Sequence, residues 1–115
     1  MKILIADKFP TNYIDELKSA GHEITFNPEL KRDDLPGAIA DNAVLIVRST
    51  EVRKPALDAA KGLKLIIRAG SGFNTIDFKE AGEMGIAVAN CPGMNSIAVA
   101  ELTFALLLAI DRRIP

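Results

Sequence analysis

Apolar residues occur along this chain in short, almost unbroken runs, and between the runs they recur every three or four positions. Runs of strand length stand at residues 3–6, 24–26, 43–47, 63–67 and 86–90. Unbroken apolar runs are typical of strands buried on both faces. Segments at helical spacing between them predict helical crossovers, which join parallel strands. The pattern therefore predicts an α/β domain.

Five strand–helix units in this order suit one doubly wound architecture. We expect a flavodoxin-like five-stranded parallel sheet of order 2-1-3-4-5 with helices on both faces. The helices are predicted to cover residues 11–20, 34–40, 55–60, 75–83 and 97–112. Ligands of such sheets bind beyond the carboxyl ends of the strands. That edge collects residues 7–8, 48–49, 68–74 and 90–91.

The loop after the fourth predicted strand has two glycines directly before a helix. Gly70 and Gly72 can expose main-chain N–H groups, and a helix start adds the positive end of its dipole. Such a loop can hold a carboxylate or phosphate. The alternative is a tight turn with no ligand. Thr75 occupies the third glycine position of a Gly-x-Gly-x-x-Gly fingerprint, so the loop does not predict pyrophosphate binding.

Two arginines follow adjacent predicted strands at this edge. Arg48 and Arg68 carry permanent positive charge in a planar fork that matches carboxylate or phosphate oxygens. With hydroxyl and amide groups beside them, they predict an anion site; these groups belong to Ser49, Ser71 and Asn74. The alternative is that both arginines cover apolar neighbours or form ion pairs with Asp7, Glu51 or Asp77.

No general base accompanies these residues. His22 lies before the second predicted strand, at the opposite end of the sheet, and Cys91 has no base near it in sequence. No spacing of metal ligands is present. We therefore predict binding at the edge, with no catalytic residue and no metal site.

Composition and charge exclude several classes of function. The 115 residues suit one domain, and a net charge of −1 argues against a nucleic-acid partner. A single cysteine excludes an internal disulfide, and Asp7 comes too early for a signal peptide. The longest apolar segment, residues 102–110, falls short of the roughly 20 residues that cross a bilayer. These features predict a cytoplasmic protein without a membrane partner.

A series of motifs resembles the N-terminal part of the NAD-dependent D-2-hydroxyacid dehydrogenases, most closely their phosphoglycerate dehydrogenase branch. The matching stretches are residues 45–49, 65–77, 85–96, 99–102 and 113–115. The resemblance implies that residues 1–94 form a flavodoxin-like substrate-binding domain. Residues 95–115 would be an apolar helix leading into an NAD-binding domain outside this sequence. The parent would oxidise a 2-hydroxy acid by hydride transfer to NAD, and this piece would be inactive alone.

The same resemblance implies roles for individual residues. The main chain of Gly70, Ser71 and Gly72 would hold the substrate carboxylate, and Ser71 would approach the nicotinamide. Arg48 and Arg68 would meet a substrate phosphate, supported by Ser49 and Asn74. The helix at residues 96–112 would form a homodimer interface. Phe73, Asn74 and Thr75 differ from the Val-Asp-Asn usual in the family.

Other interpretations stay open at this point. A stand-alone, non-catalytic flavodoxin-like module is one, although a receiver needs an acidic residue where Arg48 stands, and residues 8–12 make a poor flavin phosphate loop. An engineered fragment scaffold is another. The last helix can fold back onto the sheet or pair with a second chain. The choice among 2-hydroxy acids, and between NAD and NADP, is also open.

Overall fold

The structure is a computed structural model that describes residues 2–7, 11–48, 50–68 and 76–90. Five parallel strands form one sheet of order β2-β1-β3-β4-β5, which confirms the predicted topology. The strands are β1 Lys2–Ile5, β2 Glu23–Phe26, β3 Val44–Val47, β4 Leu65–Arg68 and β5 Ala87–Asn90. The fourth strand thus ends at Arg68, one residue later than the apolar run predicts.

Helices connect successive strands, as expected for a parallel sheet. They are α1 Thr11–Ser19, α2 Leu35–Ala38, α3 Lys54–Ala59 and α4 Phe78–Glu83. The predicted helix at 34–40 is shorter and is preceded by a 3₁₀ turn, Arg32–Asp34, in which the Asp34 carboxylate accepts the Lys31 main-chain N–H at 3.0 Å. The predicted helix at 97–112 lies outside the described residues.

Glycines at the ends of α1 and α4 have the backbone conformation that stops a helix. Gly21 has φ of 96° and Gly85 has φ of 77°. After each, a main-chain N–H reaches back to the helix: His22 donates to Leu17 at 3.3 Å, and Ile86 donates to Ala81 at 2.9 Å. These contacts satisfy carbonyls that the helix leaves free.

Strand alternation divides the core into two apolar layers, one on each face of the sheet. One layer joins α1 to the sheet through Ile3, Ile5, Ile14, Leu17, Val44, Ile46, Leu65 and Ile67. The other joins α2, α3 and α4 to the opposite face and includes Leu4, Leu35, Ile39, Leu45, Val47, Leu57, Ile66 and Ala81. Each large side chain buried in this way contributes about 1.5–3 kcal/mol. The described helices therefore cover both faces.

The sheet is covered on both faces as predicted, and the exposure of its residues differs between the three central strands and the two edge strands. β1, β3 and β4 are buried apart from Lys2 at the start of β1. In β2, Glu23, Thr25 and Phe26 are exposed, and in β5 Ala87 is exposed. An edge strand pairs with a neighbouring strand on one side alone.

Candidate functional site

The carboxyl edge of the sheet brings together the two arginines predicted to bind an anion. Arg68 is the last residue of β4, and it pairs in register with Val47, the last residue of β3. Arg48 follows Val47 directly. Paired strands lie about 4.8 Å apart, so the main chains of the two arginines are close, and Arg48 stands one position beyond the residue that pairs with Arg68.

The two arginines differ in burial. Arg68 is only 8% exposed, whereas Arg48 is exposed to solvent. Alternation along β4 puts Arg68 on the same face as Ile66, towards the layer of α2, α3 and α4. A guanidinium stays charged when buried, so interactions of Arg68 with an opposite charge are stronger than those of a solvated cation.

Asp7 organises the chain immediately after β3. One oxygen of its carboxylate, Oδ2, accepts the main-chain N–H of Arg48 at 2.6 Å and that of Thr50 at 3.1 Å. The Thr50 hydroxyl donates to the carbonyl of Ala6 at 3.4 Å. Sequence alone makes Asp7 a candidate ion-pair partner of the arginines. In the structure its bonds to residue 48 go to the main chain, leaving the guanidinium to extend from a fixed backbone.

A network of ion pairs ties together the loops that follow β2, β3 and β4. Glu51 contacts Arg32 at 2.7 Å and Arg53 at 3.4 Å, and Arg53 also contacts Asp77 at 3.1 Å. Glu51 and Asp77 were the alternative partners considered for Arg48 and Arg68. No sequence motif points to Arg32 or Arg53. The one available signal is that all four charged residues follow strands and so belong to the same edge.

The ion-pair network shifts the pKa values of three of its side chains. Hydrogen bonds from Arg32, and next from Arg53, lower the pKa of Glu51. The hydrogen bond to Asp77 is the largest cause of the raised pKa of Arg53, and the hydrogen bond to Glu51 is the largest cause for Arg32. These side chains are largely solvated, so each pair stabilises the fold modestly.

The far end of the glycine-containing loop is held against the loop after β3. Val52 and Ile76 form an isolated parallel bridge, and the Asp77 N–H donates to the Val52 carbonyl at 3.0 Å. With the Arg53–Asp77 ion pair, these contacts fix the chain just after residue 75. The remaining predicted site residues lie outside the described residues, as does Cys91; they are Ser49, Gly70, Ser71, Gly72 and Asn74.

A cavity beside the network gives no further evidence for a ligand site. A cavity of about 380 Å³ lies beside the network, lined by Arg32, Asp33, Pro36, Arg53 and Pro55, and both of its arginines already pair with Glu51. Within the described parts of the chain, no three His, Cys, Asp or Glu residues are grouped to hold a metal ion. No helix in those parts is long and apolar enough to cross a membrane.

Comparison with protein families gives a match over almost the whole chain. Residues 3–112 match the family described as D-isomer specific 2-hydroxyacid dehydrogenase, catalytic domain. The D-3-phosphoglycerate dehydrogenases of Archaeoglobus fulgidus and Methanocaldococcus jannaschii are 39% and 42% identical to it, each over 116 aligned residues. Both alignments cover all of this chain and 22% of the relative.

Solved structures support the same assignment. The NAD⁺-bound 3-phosphoglycerate dehydrogenase of Entamoeba histolytica superimposes with a TM-score of 0.72 and 32% identity, over 95% of this chain and 38% of that one. The PH0520 protein of Pyrococcus horikoshii superimposes with a TM-score of 0.74 and 30% identity, over 98% and 34%. The chain spans about a fifth of the length of the two curated phosphoglycerate dehydrogenases. It belongs to the family of D-isomer specific 2-hydroxyacid dehydrogenases.

Proposed function

We propose that this chain is the substrate-binding segment of an NAD-dependent 2-hydroxyacid dehydrogenase, and that its carboxyl edge binds a phosphorylated 2-hydroxy acid of the 3-phosphoglycerate type. The observation that carries the proposal is the position of Arg48 and Arg68 at the ends of adjacent paired strands. Similarity to phosphoglycerate dehydrogenases over the full chain supports the choice of substrate class.

The substrate has two anionic groups, and the chain offers two kinds of donor for them. The guanidinium groups of Arg48 and Arg68 suit the phosphate, because a planar fork can donate two parallel hydrogen bonds. The main-chain N–H groups of Gly70, Ser71 and Gly72 suit the carboxylate, with Ser49 and Asn74 in supporting roles. Of the two arginines, Arg48 is the more accessible to a ligand in solution, since Arg68 is only 8% exposed.

Several acidic side chains and the histidine of the described residues are engaged in other contacts or lie away from the carboxyl edge. Asp7 and Asp77 already accept hydrogen bonds, Glu51 is paired with two arginines, and His22 lies in the turn that precedes β2. The residues also do not fit a dinucleotide, because Thr75 replaces the third glycine of the pyrophosphate fingerprint. The proposal therefore gives the chain binding and orientation of substrate, with NAD and the acid–base group held by further chain of the parent enzyme.

Assembly of the parent is part of the same proposal. The segment at residues 96–112 has few polar positions, and a helix that is apolar on nearly all sides has to be buried on more than one side. Pairing with the same segment of a second chain would bury it. We therefore expect a homodimer in the parent enzyme.

An amide-resolved NMR titration of the 115-residue chain with 3-phosphoglycerate tests the binding proposal. We expect saturable shifts at the main-chain amides of Arg48, Thr50 and Arg68, with little change at Ala43 and Ala87 on the opposite edge. Glycolate, which has the carboxylate and no phosphate, should cause much smaller shifts at Arg48. Amides that do not move with either compound would contradict the proposal. Equal shifts with both would contradict the phosphate specificity.

A further inference from the structure

The end of the β1–β3 ladder is completed by a side chain. The last main-chain bond between these strands joins the Ala6 N–H to the Ile46 carbonyl at 3.0 Å. One step further, the Asp7 carboxylate receives the N–H of Arg48 at 2.6 Å and that of Thr50 at 3.1 Å. A single carboxylate oxygen therefore fixes the chain on both sides of position 49.

We propose that Asp7 is a positioning residue for anion binding, acting through the main chain of Arg48. This inference rests on the function proposed above. The two hydrogen bonds set where the backbone of residue 48 stands and so the point from which its guanidinium extends. The Thr50 hydroxyl bond to the Ala6 carbonyl, at 3.4 Å, gives the same segment a second connection to β1.

Physical chemistry explains why such a residue matters at this edge. Arg48 is exposed and has a long, flexible side chain, so ordering it around an anion has an entropic cost. A fixed backbone limits that cost to the side chain. Hydrogen bonds from N–H groups to an ionised acceptor are roughly twice as strong as neutral ones, which suits the carboxylate to holding a solvent-exposed segment.

If Asp7 positions Arg48, removal of its side chain changes anion affinity in the opposite direction to the loss of its negative charge alone. A carboxylate near an anion site repels the anion, so its charge alone would weaken binding, and removal would tighten it. If Asp7 positions Arg48, removal weakens binding instead. The sign of the change in affinity for 3-phosphoglycerate therefore separates the two effects.

The experiment compares dissociation constants for 3-phosphoglycerate among the native chain, D7A, D7N and the matched control D41A. Asp41 is exposed in the turn before β3, at the opposite edge, so D41A removes the same charge far from the site. We expect D7A to bind about tenfold more weakly, D7N to recover part of that loss because its amide oxygen still accepts, and D41A to match the native chain. Deuterium exchange at the amides of Arg48 and Thr50 should quicken in D7A and, less, in D7N.

The outcomes distinguish failure of the proposed function from failure of the positioning role of Asp7. If the native chain does not bind 3-phosphoglycerate, the proposed function fails and the inference fails with it. If the native chain binds while D7A and D7N bind as tightly or more tightly, the function stands and the positioning role of Asp7 is overturned. If D7A does not fold, D7N decides, because it is nearly isosteric: native-like affinity with unchanged exchange at Arg48 and Thr50 overturns the inference.

Discussion

The amino and carboxyl edges of this sheet, where the parallel strands begin and end, differ in how far charged side chains add to the main-chain hydrogen bonds. At the amino edge, successive strands are joined by main-chain groups: Ala43 donates to Lys2 at 2.9 Å, Lys64 to Ala43 at 2.8 Å, and Ala87 to Lys64 at 3.0 Å. The carboxyl edge has main-chain bonds too, such as Ala6 to Ile46 at 3.0 Å, but charged side chains add to them. There Asp7 accepts from Arg48 and Thr50, and the ion-pair network connects the loops.

Because of this difference, the amino edge has a structural role and the carboxyl edge is suited to ligand binding. Main-chain bonds form with almost any sequence, so the amino edge is specified mainly by the strand pairing itself. Bonds made by carboxylates and guanidinium groups depend on residue identity and place fixed charges where the strands end. Open α/β sheets bind their ligands beyond the carboxyl ends of the strands, and the charged edge of this sheet is that one.

Truncation of a core residue in a central strand should destabilise the whole sheet, including both edges. It should lower the free energy of unfolding more than any other change considered. Ile66 in β4 is fully buried, and the change to Ala leaves a cavity that we expect to lower the free energy of unfolding by about 2–5 kcal/mol. Urea unfolding of I66A beside T25A, a truncation of the exposed Thr25 on β2, measures the difference. A loss as small as that of T25A would mean that β4 is not the shared support of the two edges.

Removal of Arg53 should loosen the carboxyl edge alone. R53M loses the contacts with Glu51 and Asp77, which are partly solvated, so the loss of stability should be well below that of I66A. Deuterium exchange should quicken at Ile76 and Asp77 and stay unchanged at Ala43, Lys64 and Ala87. K54M, which breaks the exposed Lys54–Asp58 pair within α3, is the matched control. Faster exchange at both edges in R53M would remove the distinction between them.

The contribution of Glu51 to stability should be the smallest of the three, and it should decrease at low pH. Its pKa is lowered in the folded protein by the hydrogen bonds from Arg32 and Arg53, so the ionised form is favoured by folding. The resulting stability is present above the unfolded pKa and disappears as the pH falls through the lower, folded value. The difference in melting temperature between the native chain and E51Q should therefore be measurable at pH 7 in low salt and shrink steadily as the solution is acidified below the unfolded pKa. A difference that grows on acidification would contradict the assigned sign.

Sequence predicted the strands, their order and the position of two arginines at the ends of adjacent strands, because these depend on local patterns and on one general rule about parallel sheets. The role of Asp7 and the partners of Arg53 could not be read in the same way. They depend on which loops meet: 41 residues separate Asp7 from Arg48, and 24 separate Arg53 from Asp77. The exposure of β2 likewise follows from its place at the edge, since Ile24 and Phe26 have the apolar character of a buried strand.

The most direct test of the account is a double-mutant cycle for 3-phosphoglycerate affinity with R48M, R68M and the double variant, measured by titration calorimetry. K64M removes a positive charge at the amino edge and is the control. If both arginines meet one phosphate, each single variant binds more weakly, K64M keeps a native-like constant, and the arginines show a coupling energy of about 0.5–3 kcal/mol. Strictly additive losses, or a loss of the same size in K64M, would contradict a single anion site at the carboxyl edge.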